Sequence, residues 1–458
     1  MQPPLNHPQF RRLFCAQVIA LLGSGLTTVA LTLLAYQISP VGAGSLLGTV
    51  LAIKMVAYVF FAPIVGGLAH RFDRKALMVS LDLLRALVVI AMPFVTESWQ
   101  IYLLIFLLSI FTAGFNPVFQ STIPDLLDNE QTYTRALSLS RLAYDIEALL
   151  SPAAAGLVLL VATFDSLFLL NGLAFLLSAC LVSLVRLPQQ KRVNRLGGLS
   201  AQVTFGLRAY WKTPRLRALL ALYVGVALAS AMVIVNTVVY VRETLGGDES
   251  QVVLALAASG MGSMLAALLI PRLLSDGAVR PVLLMGTVLM SPMLLLLSLT
   301  PSFSQLLFLW FVTGFGWSLV QTPAGRVVNR SSAPADRDAY YSAQFALTHL
   351  CWLVAYPVVG YLGEAVGIEL TGLLVGVICA GAALAGYCLW PDPDDRVLLH
   401  THQALTHAHA HQHDDHHQHD HPDAGQYSSE SSDHEHQHEA VTHSHIFVID
   451  DHHPSWPR

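Results

Sequence analysis

The chain has 458 residues, of which 54% are hydrophobic and only 12% are charged. Because soluble globular proteins carry about 25% charged residues, this composition argues against a soluble enzyme. Its formal net charge of −5 combines two unlike parts, since residues 1–390 carry a net charge of +6 and residues 391–458 one of −11. Of the 20 histidines, 17 lie between His400 and His453. A basic, apolar body therefore precedes an acidic, histidine-rich tail.

The body contains twelve apolar runs long enough to span a bilayer core roughly 30 Å thick. In chain order they are Leu13–Ile38, Leu46–Ala69, Ala76–Val95, Ile101–Phe119, Leu142–Ala162, Leu167–Val185, Leu219–Val241, Val252–Leu274, Val282–Leu299, Leu306–Val320, Tyr341–Leu362 and Leu370–Trp390. This pattern predicts an all-α membrane protein with twelve transmembrane helices. The sequence has no P-loop, GxSxG or HExxH motif. We therefore expect no enzymatic activity, no ATP and no nucleic-acid partner.

Lysine and arginine residues concentrate on one side of these runs. Of the 25 basic residues, 22 lie in the loops on one side of the membrane or at the ends of the runs that face that side. The exceptions are Arg242, which lies on the other side, and Lys54 and Arg85, which lie within runs. Basic loops remain in the cytoplasm. The sequence thus predicts cytoplasmic termini, with the body surrounded by the lipid of a bacterial-type inner membrane.

An offset of about 206 residues aligns landmarks of the body with one another. Pro117 then falls on Pro323, and Pro152 falls close to Pro357. Two parallel halves are typical of one large transporter class, although prolines in apolar sequence can also align by chance. The predicted divisions are a six-helix half at 1–187, a basic cytoplasmic linker at 188–217, a six-helix half at 218–390 and the tail at 391–458.

Residues 66–75 read GGLAHRFDRK, between the second and third runs. This segment resembles the G-x-L-A-D-R-x-G-R-K loop of the major facilitator superfamily. The resemblance implies a twelve-helix transporter in which this loop supports a cytoplasmic charge network that sets the conformational equilibrium. The residues assigned to this switch are Gly66, His70, Arg71, Asp73 and Arg74. Because His70 stands where the family has an acid, Asp73 is a candidate substitute, and Asp276 is the matching acid of the second half.

A narrower resemblance rests on FNP at 115–117, IPDL at 123–126 and RALS at 135–138. These segments resemble the drug, macrolide and siderophore exporters of the superfamily. Together with the histidine-rich C-terminus, they make the chain similar to the histidine-tailed nickel-resistance permeases. That resemblance implies export, with a metal ion as the cargo.

The tail is rich in histidines separated by one residue. Its candidate metal ligands are His402, His407, His409, His411, His413, His416, His417, His419, His421, His434, His436, His438, His443 and His445. Imidazole suits borderline cations, and the tail lacks the Cys and Met that select Cu(I). We therefore expect it to bind Ni(II), Co(II), Zn(II) or Cu(II), unless it is only a solvated polar tail. Its composition predicts disorder without metal, and no cofactor is needed for folding.

Ionisable side chains inside a membrane are costly and point to function. The candidates for transport and proton coupling are Lys54, Asp82, Asp145, Glu147 and His349. We expect Asp145, Glu147 and His349 to form a metal or proton site. In the alternative, Asp82 pairs locally with Arg85, Lys54 pairs with an acid, and His349 is a satisfied interior residue.

The sequence as a whole predicts a proton-driven exporter of Ni(II) or Co(II) that works by alternating access. Two alternatives stay open. In one, the cargo is an organic drug, a siderophore or a metal chelate. In the other, the chain is a membrane-anchored metal buffer or sensor.

Overall fold

The computed structural model describes residues 3–38, 43–127, 129–188, 198–274 and 278–391, and in the tail 397–402, 405–411, 432–438, 441–449, 453 and 456. Its helices are α1 (Pro8–Ile38), α2 (Ala43–Leu68), α3 (Arg74–Ala91), α4 (Ser98–Leu126), α5 (Glu130–Leu159), α6 (Asp165–Ser183), α7 (Leu199–Lys212), α8 (Pro214–Val239), α9 (Glu249–Leu273), α10 (Val279–Leu296), α11 (Phe303–Arg330), α12 (Arg337–Val366) and α13 (Ile368–Leu389). Among the described residues, twelve helices are long and apolar enough to cross a membrane. The predicted all-α membrane fold is confirmed.

The membrane helices pack as two groups of six. In the first group (α1–α6), α1 packs against α5 and α6, and α4 against α2 and α3. In the second group (α8–α13), α11 packs against α9 and α10, and α8 against α12 and α13. Contacts of α2 with α12 and of α5 with α9 join the two groups. Pro117 and Pro323 lie inside α4 and α11, the fourth helix of each group.

Several helices extend past the apolar runs that predicted them. Helix α5 begins at Glu130 rather than Leu142, and α11 continues to Arg330 rather than ending at Val320. The added turns are polar and meet at one end of the bundle, where Arg326 and Arg330 both pair with Glu130. A hydropathy pattern cannot predict such turns, because ion pairs between helices stabilise them and they do not depend on apolar contact with lipid.

The predicted basic linker contains a helix, α7, that contacts both groups. Arg71 in the loop before α3 donates a hydrogen bond from Nη2 to Oε1 of Gln202 over 2.6 Å. The hydroxyl of Tyr210 donates to Oε1 of Gln344 on α12 over 2.5 Å. Helix α7 is therefore a packed element of the fold and holds the two groups at one end.

The tail contains four short strands: β1 (Val397–His402), β2 (Leu405–His411), β3 (Ser432–His438) and β4 (Val441–Ile446). Strand β1 pairs with β4 and β2 with β3, both antiparallel. The sequence predicted disorder here, because the tail cannot bury a core. Histidines that alternate with other residues have the two-residue period of a β-strand. The described residues of the tail form such strands.

The last described residues return to the body. We call residues 447–449, His453 and Trp456 the C-terminal segment. Phe447 and Ile449 are each 3% exposed and belong to the apolar core of the second group. The chain therefore leaves the body after α13 and docks on it again near its end.

Glycines allow α9 and α11 to approach until their backbones touch. A Cβ atom at Gly314 would lie 1.9 Å from the carbonyl oxygen of Ser259, and one at Gly262 would lie 1.9 Å from that of Phe311. By contrast, a Cβ atom at Gly381 on α13 would meet nothing within 4 Å. Small residues at helix contacts are a general device of membrane proteins.

We predict that Gly314→Ala lowers the thermal stability of the purified protein, because backbone atoms cannot yield to the new methyl group. Overpacking of this kind costs about 1–3 kcal/mol. Gly381→Ala is the matched control, and we expect it to leave the melting temperature unchanged or slightly raised. Equal melting temperatures for the two variants in the same detergent would contradict the close helix contact.

Candidate functional site

A buried network of charges joins the two groups at one end of the bundle. Nη1 of Arg74, at the start of α3, donates to Oδ2 of Asp125 over 2.5 Å, and Nη2 donates to Oδ1 of Asp338 on α12 over 2.7 Å. Arg337 also pairs with Asp125. The side chains of Arg74 and Asp338 are each 7% exposed. We call these four residues the gate network, and the end that contains them the basic end.

A second set of contacts lies beside the gate network. Glu130 accepts hydrogen bonds from Nε of Arg326 over 2.8 Å and from Nε of Arg330 over 2.5 Å. The hydroxyls of Tyr133 on α5 and Tyr341 on α12 are 2.6 Å apart. Both sets connect the first group to the second. The structure is therefore closed at the basic end.

The predicted switch residues lie at this closed end. Gly66 faces α12, where a Cβ atom would come within 2.9 Å of the carbonyl oxygen of Asp338. Arg71 contacts α7 as described above, and His70 is half-buried. Arg74 is the switch residue that enters the gate network.

The acid missing at His70 is not replaced by Asp73. The side chain of Asp73 instead caps α3, accepting a hydrogen bond from the backbone N–H of Ala76 over 2.8 Å. Asp125 and Asp338 provide the carboxylates for Arg74. The loop that resembles the family motif did not predict Asp338 as a partner. Asp276 lies outside the described residues.

Asp82 and Arg85 form the local pair that the alternative interpretation predicted. Ser178 on α6 donates to the carboxylate of Asp82 over 2.8 Å. The guanidinium carbon of Arg85 lies 4.0 Å from the ring centroid of Phe115 and 4.5 Å from that of Phe175. All these partners belong to the first group, so the pair makes its described contacts within that group.

Asp145 lies where α5 meets the second group. Arg141, one turn earlier, pairs with it over 2.8 Å, and the hydroxyl of Ser263 on α9 donates to it over 2.8 Å. Arg141 also donates to Gln321 on α11. Arg141 was not among the predicted site residues, although its i,i+4 spacing from Asp145 is the signal for such a pair. The structure thus places Asp145 in a link between helices.

His349 lies among aromatic rings midway along α12. Its ring centroid is 4.0 Å from that of Phe345, 4.9 Å from that of Tyr58 on α2 and 5.3 Å from that of Trp352. Its Nδ1 is 2.7 Å from the carbonyl oxygen of Phe345. Because a carbonyl oxygen only accepts, Nδ1 carries a proton and Nε2 is an acceptor in the neutral ring.

Lys54 and Glu147 bring opposite charges to the same region. Nζ of Lys54 lies 5.7 Å from the ring centroid of Tyr58, the ring that also packs against His349. Glu147 faces α1, where a Cβ atom at Gly25 would lie 2.5 Å from its Oε1. The carboxylate of Glu147 accepts a long hydrogen bond of 3.4 Å from Ser151. It therefore retains capacity to accept further hydrogen bonds or a proton.

We call Lys54, Tyr58, Glu147, His349 and Trp352 the central cluster. Its members come from α2 and α5 of the first group and from α12 of the second. Of the predicted transport residues, the structure sets Lys54 and His349 beside the same ring, that of Tyr58, and we include Glu147 because its charge is opposite to that of Lys54. Asp82 and Asp145 are engaged in the ion pairs described above.

In the part of the chain that the structure describes, no three His, Cys, Asp or Glu side chains are grouped to hold a metal ion. Among the predicted tail ligands, His413, His416, His417, His419 and His421 lie outside the described residues. The others lie on the four strands: His402, His407, His409, His411, His434, His436, His438, His443 and His445. The backbone register sets His407 opposite His436, and His409 opposite His434.

Comparisons with known proteins agree with this architecture. The family model of the Major Facilitator Superfamily matches residues 13–275 and 219–412. The uncharacterized MFS-type transporter YfiS of Bacillus subtilis is 28% identical over 408 residues, which cover 82% of this chain and 93% of that protein. Macrolide efflux protein A of Streptococcus pyogenes is 26% identical over 186 residues, which cover 40% of this chain and 45% of that protein.

Two solved structures share the fold at low sequence identity. The human organic anion transporter MFSD10 superposes with a TM-score of 0.73 at 13% identity, covering 84% of this chain and all 100% of its own. The Escherichia coli fucose:proton symporter FucP gives 0.65 at 15% identity, covering 83% of this chain and 98% of its own. With twelve membrane helices in two groups and a family model that matches most of its length, the chain belongs to the Major Facilitator Superfamily of membrane transporters.

Proposed function

We propose that this chain exports an organic amphipathic molecule from the cytoplasm in exchange for protons. The observation that carries the proposal is the central cluster, in which aromatic rings from both groups surround the imidazole of His349 and the ammonium group of Lys54 lies near one of these rings, with Glu147 on α5 as the acid. The similarity to macrolide efflux proteins supports export of an organic cargo. We take the basic end as cytoplasmic, following the distribution of lysine and arginine.

The chemistry of the cluster favours an organic cargo over a bare metal ion. Tyr58 and Trp352 offer flat apolar surfaces, which suit stacking with rings or other apolar groups. A transition-metal ion needs several nitrogen, oxygen or sulfur ligands at about 2 Å. Here Glu147 and His349 are the plausible ligands, and the ammonium group of Lys54 repels a dication.

Proton coupling follows from the charges of Lys54 and Glu147. When Glu147 is ionised, the two charges cancel, and the carboxylate can pair with a basic group of the cargo. When Glu147 binds a proton, this partner is lost and Lys54 gives the cluster a net charge of +1. A basic cargo is then released. Because the basic end is closed in this structure, the proton arrives and the cargo leaves at the opposite end.

We predict that Glu147→Gln reduces proton-driven efflux of a fluorescent organic cation, such as ethidium, at least tenfold. The amide has the shape of the carboxylic acid but can neither bind a proton nor pair with a cation. The measurement is the initial efflux rate from energised cells with matched protein levels. Glu364→Gln, at an exposed position of α12, is the control and should match wild type. Wild-type efflux by Glu147→Gln would overturn the coupling role.

Export of a divalent cation is the second candidate function, and the tail favours it. Strands β2 and β3 set histidines opposite one another, and neutral imidazole suits Ni, Zn and Cu. A tail that binds metal beside the entrance raises its local concentration there. In this form of the proposal, Glu147 and His349 receive Ni(II) or Co(II) in the cluster.

We predict for this candidate that replacing tail histidines with asparagine raises metal accumulation several-fold in cells challenged with nickel. The variant changes His407, His409, His411, His434, His436 and His438 and keeps the C-terminal segment intact. Cellular Ni, Co, Zn and Cu are measured by mass spectrometry, beside Glu147→Gln. If the tail variant changes the cellular metal content and Glu147→Gln does not, the chain acts as a metal buffer or sensor. Equal metal contents with and without the chain would exclude both metal roles.

A further inference from the structure

We infer that the C-terminal segment is an intramolecular strap. It docks on the body at Tyr340 of α12 and Arg215 of α8, and so fixes the tail to the basic end after its last strand as well as before its first. The partner of this surface is the chain's own C-terminus. This inference does not depend on which cargo is exported.

The docked segment alternates buried and half-buried positions. Phe447 and Ile449 face the body, whereas Val448 between them is half-buried. The buried hydroxyl of Tyr340, in the first turn of α12, donates to the carbonyl oxygen of Ile449 over 2.7 Å. A polar backbone group that leaves water thus receives a partner, as docking requires.

An aromatic cluster completes the contact. The ring centroid of Phe447 is 5.2 Å from that of Trp456 and 4.8 Å from that of His453. The guanidinium carbon of Arg215, at the start of α8, lies 5.5 Å from the ring centroid of Trp456. Phe447 is buried and Trp456 is half-buried, and large aromatic side chains packed against a neighbouring surface and a cation are typical anchors of specific interfaces. The segment therefore has the composition of a bound peptide rather than of a solvated terminus.

The surface beneath the segment is continuous with the gate network. Tyr340 lies two residues after Asp338 and directly before Tyr341, both of which contact the first group. Its ring contacts Phe205 of α7 at a centroid distance of 6.2 Å. Helix α7 also reaches the first group, because a Cβ atom at Gly67 would lie 2.6 Å from Cα of Val203. The strap thus lies beside the closed end.

Docking attaches the tail to the body at a second point, which raises the effective concentration of its groups near the basic end. Helix α13 ends at Leu389, and Trp390 is 4% exposed. The tail is therefore anchored to the body by a buried residue at each end, Trp390 before the strands and Phe447 after them. A chain fixed at both ends samples a smaller volume than one fixed at a single end, so its groups have a higher effective concentration near the anchors. The four described strands between the anchors, with their predicted metal-binding histidines, are thereby kept at the basic end.

The test compares two adjacent cysteine variants of the full chain, Ile449→Cys and Val448→Cys. Reaction with a water-soluble maleimide is followed at the tail peptide by mass spectrometry, which separates it from the five native cysteines. A docked segment should make Ile449→Cys react at least tenfold more slowly than Val448→Cys. Adding Phe447→Ser should bring the two rates within about twofold.

Equal rates for the two cysteines in the parent background would overturn the strap. So would a slow Ile449→Cys reaction that survives both Phe447→Ser and Trp456→Ala, because the protection would then not come from docking. These changes lie outside the membrane helices, and an unchanged gel-filtration profile checks that the body is intact. Since no transport is measured, the result is independent of the proposed function.

Discussion

Arg74 is a buried cation whose two carboxylate partners belong to different groups of helices. Removing one partner of a buried pair costs about 3–5 kcal/mol, because a desolvated charge is left behind. The two groups therefore separate at the basic end only when water or other partners replace Asp338. The glycine at Gly66 permits this contact, since a side chain there would meet α12. The conformation of the whole transporter depends on this constraint.

Helix α5 connects the closed end to the central cluster. It carries Glu130 beside the gate network, Asp145 in the link to α9, and Glu147 at the cluster. A movement of this one helix relative to the second group alters the contacts of Glu130 and Asp145, because their partners lie on α11 and α9. In the proposed cycle, Glu147 moves with the same rigid helix, which links its charge to the opening of the basic end. This coupling is how one rigid element can serve alternating access.

The sequence predicted the twelve spans well, because apolar runs in a membrane protein follow directly from the cost of burying polar groups in lipid. It predicted the Asp82–Arg85 pair from spacing along one helix. It did not reveal Asp338 as a partner of Arg74, since the two are far apart in the chain and their contact depends on how the groups pack. The sequence did not predict the docking of Phe447 for the same reason, and because the acidic, histidine-rich composition of the tail indicates metal binding and not a contact with the body.

The pair of Arg74 with Asp338 holds the basic end closed. Its role is tested most directly by the distance between spin labels at two exposed positions of that end, Phe72 and Arg272, after replacement of the native cysteines. We predict that Asp338→Asn adds a longer-distance population, whereas Asp73→Asn, which keeps a good helix cap, retains the parent distribution. Identical distributions for Asp338→Asn and the parent would contradict the account.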